Sequence, residues 1–143
     1  MALVARLFFA IESIMKTSLL WANRAIGAMD ASTGLLLMTV PQLTLSLMRL
    51  PALAEPSLVY LSWIGAFVFA IGLSYFLVGK NTHPERTKMM WQITALARAV
   101  IAIFVTIQIV TGQLALGWLT VALTDASVAA LQFWGLRNSW WRA

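Results

Sequence analysis

Residues 58–79 run for 22 positions without a charged side chain. About 20 apolar residues make a helix long enough to cross the hydrocarbon of a bilayer. Lipid offers the backbone no hydrogen-bond partners, so such a run must fold as a helix and satisfy itself. Two further runs, 89–111 and 114–136, are as long and each carries a single charge, Arg98 and Asp125. A shorter one, 25–40, stops at Pro41, which lacks the N–H that would continue it. The sequence therefore predicts an all-α, integral membrane four-helix bundle. Composition agrees: 61% of the 143 residues are hydrophobic and 10% charged, where a soluble domain has about 25% charged residues.

The first 21 residues read differently. At 100° per residue, Arg6, Glu12, Ser13, Lys16, Thr17, Asn23 and Arg24 share one face. Val4, Leu7, Phe8, Ile11, Ile14 and Met15 share the other, and Phe9 falls among the polar group. This pattern predicts an N-terminal amphipathic interfacial helix lying on the membrane surface. The alternative reading is a docking helix for a partner subunit, with Phe9 as its anchor. Glu12 and Lys16 interrupt the apolar run too early for a signal peptide. The expected organisation is an interfacial helix over 1–23, a four-helix bundle over 24–137 and a cytoplasmic tail over 138–143. Residues 42–56, with Pro51 and Pro56, read as an interfacial connection. Residues 80–88 read as a polar loop, with Asn81, Thr82 and Pro84 breaking the helix and Glu85, Arg86 and Lys88 solvated. Gly112 and Gln113 form a tight turn.

Charge orients the bundle. Of ten basic residues, Arg6, Lys16, Arg24, Lys80, Arg86, Lys88, Arg137 and Arg142 fall on one side, and Arg49 alone on the other. The positive-inside rule then places both termini in the cytoplasm, with four crossings. Trp21, Trp91, Trp134, Trp140 and Trp141 are expected at the cytoplasmic boundary, and Trp63 and Trp118 at the far one. The net charge of +5 is thus a feature of topology. No basic tail with interleaved aromatics occurs, so nucleic acid is excluded as a partner. Membrane lipids are the expected surroundings.

In lipid, helices associate through small residues that let backbones approach. Gly27, Ala31 and Gly34 mark the first span, and Gly65 and Gly72 the second. Ala95, Ala99 and Ala102 mark the third, and Ala122, Ala126 and Ala130 the fourth. Three charges border these stripes. Asp125 lies near the middle of the last span, where a carboxylate costs about 2.5–3.5 kcal/mol and so needs a partner or a purpose. Arg98 lies ~15 Å from the cytoplasmic boundary and Asp125 ~18 Å, so the two match in depth; Asp30 is shallower, at ~9 Å, within reach of a snorkelling Arg98.

Two readings of this group stand open. In one, Arg98 and Asp125 neutralise each other and lock two helices together. In the other, the group lines a polar pocket between helices. There Asp125 or Asp30 binds or relays a proton, and Arg98 orients an anionic or carbonyl group. Gln92, Thr94, Gln108 and Gln132 would add hydrogen bonds. A quinone or lipid headgroup, polar at one end and apolar along its body, suits such a pocket.

Other chemistries are excluded by what the chain lacks. With no cysteine, disulfides, iron–sulfur centres and cysteine-pair quinone reductases of the vitamin K type drop out. The single histidine, His83, sits in a loop, which argues against haem or chlorophyll inside a span. No lysine lies mid-membrane to hold retinal. No phosphate loop, nucleophile elbow or dinucleotide fingerprint occurs. No intrinsic cofactor is expected.

Gly34 followed by Pro41, the stretch WIGAFVFAIGLSYFL (63–77), ALARAVIA (95–102) and DASVAALQFWGLR (125–137) occur in an order that resembles the DoxX-like group of small bacterial four-helix membrane proteins. The resemblance covers about 25–137, and the amphipathic helix is an addition to that pattern. It implies a membrane anchor or quinone-adjacent subunit, since some members look like membrane partners of redox enzymes, including thiosulfate:quinone oxidoreductase. The expected function is a non-catalytic accessory subunit of a larger membrane complex concerned with electron transfer. The rival expectations are a small proton-coupled transporter and a quinone- or lipid-binding module. Four helices with an acidic residue in the first are similar to the small multidrug exporters.

Overall fold

The computed structural model describes the backbone of residues 2–78 and 83–142, with side chains from Thr17 onward. All regular structure among the described residues is helical. The elements are α1 (Ala2–Thr39), α2 (Pro41–Leu47), α3 (Glu55–Ser74), α4 (Pro84–Val110) and α5 (Leu119–Arg137). Single 3₁₀ turns follow α3 (Tyr75–Leu77), precede α5 (Leu116–Trp118) and close the chain (Trp140–Arg142). Among the described residues three helices are long and apolar enough to cross a membrane: α3 with its following turn, α4, and α5 with its preceding turn. Their outward faces carry large exposed apolar side chains such as Val59, Phe67, Ile93, Ile103 and Leu123. A protein in water would bury these; in a bilayer they face lipid.

The helices associate as two close pairs, α1 with α3 and α4 with α5. Gly27 and Gly34 lie seven residues apart on α1, and Gly65 and Gly72 likewise on α3. Seven residues is two helical turns, so each glycine pair occupies one face. A methyl group added at Gly34 would sit 2.7 Å from the Gly65 carbonyl oxygen. One added at Gly27 would sit 2.8 Å from that of Gly72. The backbones are in contact at both levels, and only hydrogen fits between them. The α4–α5 pair relies on alanine, with Ala95, Ala102, Ala122 and Ala129 all buried. On α5 the stripe is therefore Ala122 and Ala129, and Ala126 and Ala130 are exposed. A two-turn repeat follows a straight helix face, whereas a four-residue repeat drifts around it.

The ends of the bundle differ from the sequence-based boundaries in four places. First, α1 is continuous for 38 residues, ~57 Å long, and the expected boundary near residue 23 lies inside it. No glycine or proline precedes Gly27, so nothing breaks the hydrogen-bond ladder there. The side chains of 2–16, Phe9 and Glu12 among them, lie outside the described residues. Second, Pro41 does end α1, but it also opens α2 at the first helical position, where its missing N–H costs nothing. Arg49, at φ 56°, then reverses the chain. Third, α4 begins at Pro84, so Glu85, Arg86 and Lys88 are helical; His83 caps the helix by accepting from the Glu85 N–H at 3.4 Å. Lys80, Asn81 and Thr82 lie outside the described residues. Fourth, 138–142 is no open tail. Asn138 donates to the Trp134 carbonyl at 2.8 Å, Ser139 turns at φ 57°, and the last 3₁₀ turn folds back onto α4 and α5. Gly112 makes the expected turn after α4, at φ 73°.

Candidate functional site: an ionic and hydrogen-bonded seam between two helix pairs

Arg98 lies on α4 one turn beyond Thr94 and Ala95, on the face that α4 turns inward. It is 4% exposed. Its Nη1 donates to Asp125 Oδ1 on α5 at 2.5 Å, and its Nη2 donates to Asp30 Oδ2 on α1. Its Nε donates to the Tyr75 hydroxyl at 3.4 Å, and its Cζ lies 5.9 Å from the centre of that ring. All three guanidinium nitrogens thus face partners within the chain. A planar fork with fixed donors suits this division between two carboxylates and a phenol, which a single ammonium point charge would match less well.

Asp30 stands on α1 between Gly27 and Gly34, where α3 approaches most closely, and is 7% exposed. Tyr75 follows α3 directly and is wholly buried. Gln132, seven residues beyond Asp125 on α5, is 2% exposed. Its Nε2 donates to the Tyr75 hydroxyl and to Thr94 Oγ1, both at 2.9 Å. Thr94 in turn donates to the Met90 carbonyl at 2.8 Å. Gln132 Oε1 has no hydrogen-bond partner. Two turns along α1 and α4 from Asp30 and Arg98, Trp91 Nε1 donates to Asn23 Oδ1 at 3.0 Å. The same seven-residue step separates Asn23 from Asp30 and Trp91 from Arg98. One seam between α1 and α4 therefore carries both bonds.

The structure brings together Asp30, Arg98, Asp125, Gln132 and Thr94. It leaves out Gln108, whose carbonyl closes the turn after α4 by accepting from the Gln113 and Leu114 N–H groups at 2.8 and 3.0 Å. That position is about 15 Å along the helix from Arg98. Gln92 is exposed on another face. Tyr75, Asn23 and Trp91 belong to the seam without having been read as such. Trp91 was expected at a lipid-facing boundary; it is buried, and its ring, like that of Trp140, lies against Gly135. Trp141 is buried too, whereas Trp21, Trp63 and Trp134 are exposed as a belt requires. A heptad offset from Asp30 and Arg98 would have found Asn23 and Trp91. Nothing in the sequence ties Tyr75 to them.

A groove of about 450 Å³ opens between α1 and α5, lined by Ala25, Ile26, Met29, Leu123, Thr124, Ser127 and Val128. None of the charged residues lines it. Its two hydroxyls are already spent on α5 carbonyls, Thr124 on Thr120 and Ser127 on Leu123. Among the described residues no group of three or more His, Cys, Asp or Glu is placed to hold a metal ion. Neither a protein-family model, nor a curated protein, nor a solved structure matches the chain.

Proposed function

We propose that the chain is a bacterial inner-membrane protein with four crossings and cytoplasmic termini, acting as a non-catalytic accessory subunit of a larger membrane complex. The observation that carries this reading is the inward closure of the charged group. Arg98 spends all three nitrogens on Asp30, Asp125 and Tyr75, and the neighbouring groove is lined by none of them. A guanidinium held this way, with each nitrogen engaged inside the chain, joins helices. The length of α1 supports the same reading. At ~57 Å it exceeds the ~30 Å of hydrocarbon, so one end serves as the fourth crossing and the other extends beyond the bundle toward a partner. The DoxX-like resemblance supports a link to electron transfer, with any quinone held at a boundary shared with that partner.

Native electrophoresis of mild-detergent extracts tests this. The expected result is migration well above the 15.8 kDa chain with stoichiometric companion subunits, lost on removing residues 2–16. Migration as the chain alone, under conditions that keep other membrane complexes intact, overturns the proposal.

One observation favours a second reading, carboxylate-coupled transport. Two carboxylates share a single guanidinium, so the fully ionised group carries one negative charge more than positive. In an apolar bundle such a surplus favours uptake of a cation or proton. Proteoliposome flux abolished by Asp30→Asn or Asp125→Asn supports that reading, and flux indifferent to both removes it.

A further inference from the structure

At the end of the bundle where α4 begins and α5 finishes, the closing 3₁₀ turn sets the Trp141 ring against two cations. Lys88 Nζ lies 4.7 Å from its ring centre, and Arg142 Cζ lies 4.8 Å from it. The indole is buried while Arg142 is exposed and Lys88 partly so. Among the described residues one carboxylate serves this group: Glu85, 3.4 Å from Lys88 Nζ. Among the described residues none pairs with Arg142. Arg86, in the first turn of α4, and Arg137, the last residue of α5, add positive charge at the same helix ends. An aromatic face attracts each cation, but it does not relieve the repulsion between them. Among the described residues two basic groups held by one ring share a single carboxylate, a charge arrangement that an anion completes.

The level of this group in the bundle says which anion. Exposed Trp134 stacks edge-on against Trp140 at 4.7 Å, and exposed Met89 and Ile93 lead from Lys88 along α4. A polar-aromatic rim above a lipid-facing apolar track is what a phospholipid meets at the membrane boundary. We propose that Lys88 and Arg142, held by Trp141, bind the phosphoryl group of an anionic phospholipid whose acyl chains lie over Met89 and Ile93. This site is separate from the Arg98 seam and stands whether or not the chain is an accessory subunit. Phosphatidylglycerol carries a net negative charge at this level, and phosphatidylcholine, with the same phosphate, carries none.

Native mass spectrometry of the full chain, given equimolar phosphatidylglycerol and phosphatidylcholine, tests the site. A basic residue at the surface favours an anionic lipid by about fivefold, so the pair gives a preference of about 25-fold for phosphatidylglycerol. Lys88→Gln with Arg142→Gln brings the adduct ratio near one. Lys88→Arg with Arg142→Lys keeps the preference, as does Arg49→Gln at the other end. Three results overturn the proposal: no preference in the unaltered protein, an undiminished preference in the folded neutral double variant, and loss of the lipid to millimolar inorganic phosphate. The last would assign the site to a free phosphoryl ligand. The first holds even where the double variant fails to fold.

Discussion

Replacing Arg98 by Met removes the one cation from a buried group that contains two carboxylates. Asp30 and Asp125 bond to neighbouring nitrogens of the same guanidinium, so in the variant they face each other across the space it filled. Breaking one buried ion pair by removing a partner costs about 3–5 kcal/mol, because the remaining charge is stranded. Here two charges are stranded together, which places the variant at or beyond the upper figure. Asp125→Asn differs in kind: Arg98 keeps Asp30 and Tyr75, and the amide oxygen can still accept. Its cost is one weakened charged hydrogen bond, about 1–2 kcal/mol. The triple variant, with Arg98→Met, Asp30→Asn and Asp125→Asn, strands nothing and recovers most of the loss, since a neutral set often replaces a buried ionic one without penalty. At roughly 4 °C per kcal/mol for a chain of this size, Arg98→Met melts about 20 °C or more below the unaltered protein. Thermal unfolding in detergent, followed by size-exclusion recovery after heating, reads the order. An Arg98→Met protein melting within about 3 °C of the parent, or a triple variant less stable than Arg98→Met, would refute the reasoning.

The remaining predictions concern contacts that hold the seam and the pairs. Tyr75→Phe removes the hydroxyl that accepts from both Arg98 and Gln132, leaves two buried donors short, and costs about 1–3 kcal/mol in the same melting assay; an unchanged melt would mean that the hydroxyl is dispensable. Gly34→Ala forces α1 and α3 apart where a methyl has no room, costing about 1–3 kcal/mol, whereas Ala126→Gly on the exposed side of α5 costs no more than its helix propensity, about 1 kcal/mol. Equal effects from these two would argue against the α1–α3 glycine contact. Because the chain has no cysteine, single cysteines report topology directly. Four crossings put His83→Cys and Asn138→Cys on the same side as Thr17→Cys, and Gln113→Cys on the other. Impermeant thiol labelling that places Thr17→Cys with Gln113→Cys leaves three crossings.

Much of this arrangement was legible because lipid restricts the options. An apolar run without charges, such as 58–79, has one backbone solution, and the glycines of α1 and α3 had one use there. Arg98, Asp30 and Asp125 were found because a charge in a span demands a partner. What stayed hidden depends on angle and not on composition. Ala122, Ala126, Ala129 and Ala130 are chemically alike, and only the two-turn repeat that matches Ala95 and Ala102 selects Ala122 and Ala129. Trp91 sits at a depth where tryptophan ordinarily faces lipid, yet its indole N–H turns inward to Asn23. Asn23, next to Arg24, looked like part of a polar surface. Tyr75 ends α3 inside an apolar stretch, and its hydroxyl becomes informative only once Arg98 and Gln132 converge on it. Gln108 shows the converse: a polar residue in a span whose backbone closes a helix end.

The placement of these polar groups follows from how the helices associate. Within α1–α3 and α4–α5 the small residues bring backbones together, and dispersion along the contact suffices. Between the pairs the close contacts are few. At one end Gly117 packs under the Met48 carbonyl at 2.7 Å from where its Cβ would stand, and Trp118 packs on the cluster of Leu37, Leu45, Leu50, Leu58 and Leu61. Farther along, long side chains bridge the gap: Arg98 to Asp30, Gln132 to Tyr75, Trp91 to Asn23. Lipid tails solvate leucine as well as another helix does, so apolar side chains spanning that gap would gain little by staying. A charged or amide group has no such alternative, because leaving its partner exposes it to hydrocarbon. The polar residues therefore sit where packing is weakest, and the seam resists opening by the cost of stranding them. Any ligand or partner that separates the two pairs must supply replacement partners for Arg98 and both carboxylates. An accessory subunit need not undergo that opening, whereas a transporter coupled through Asp30 and Asp125 must.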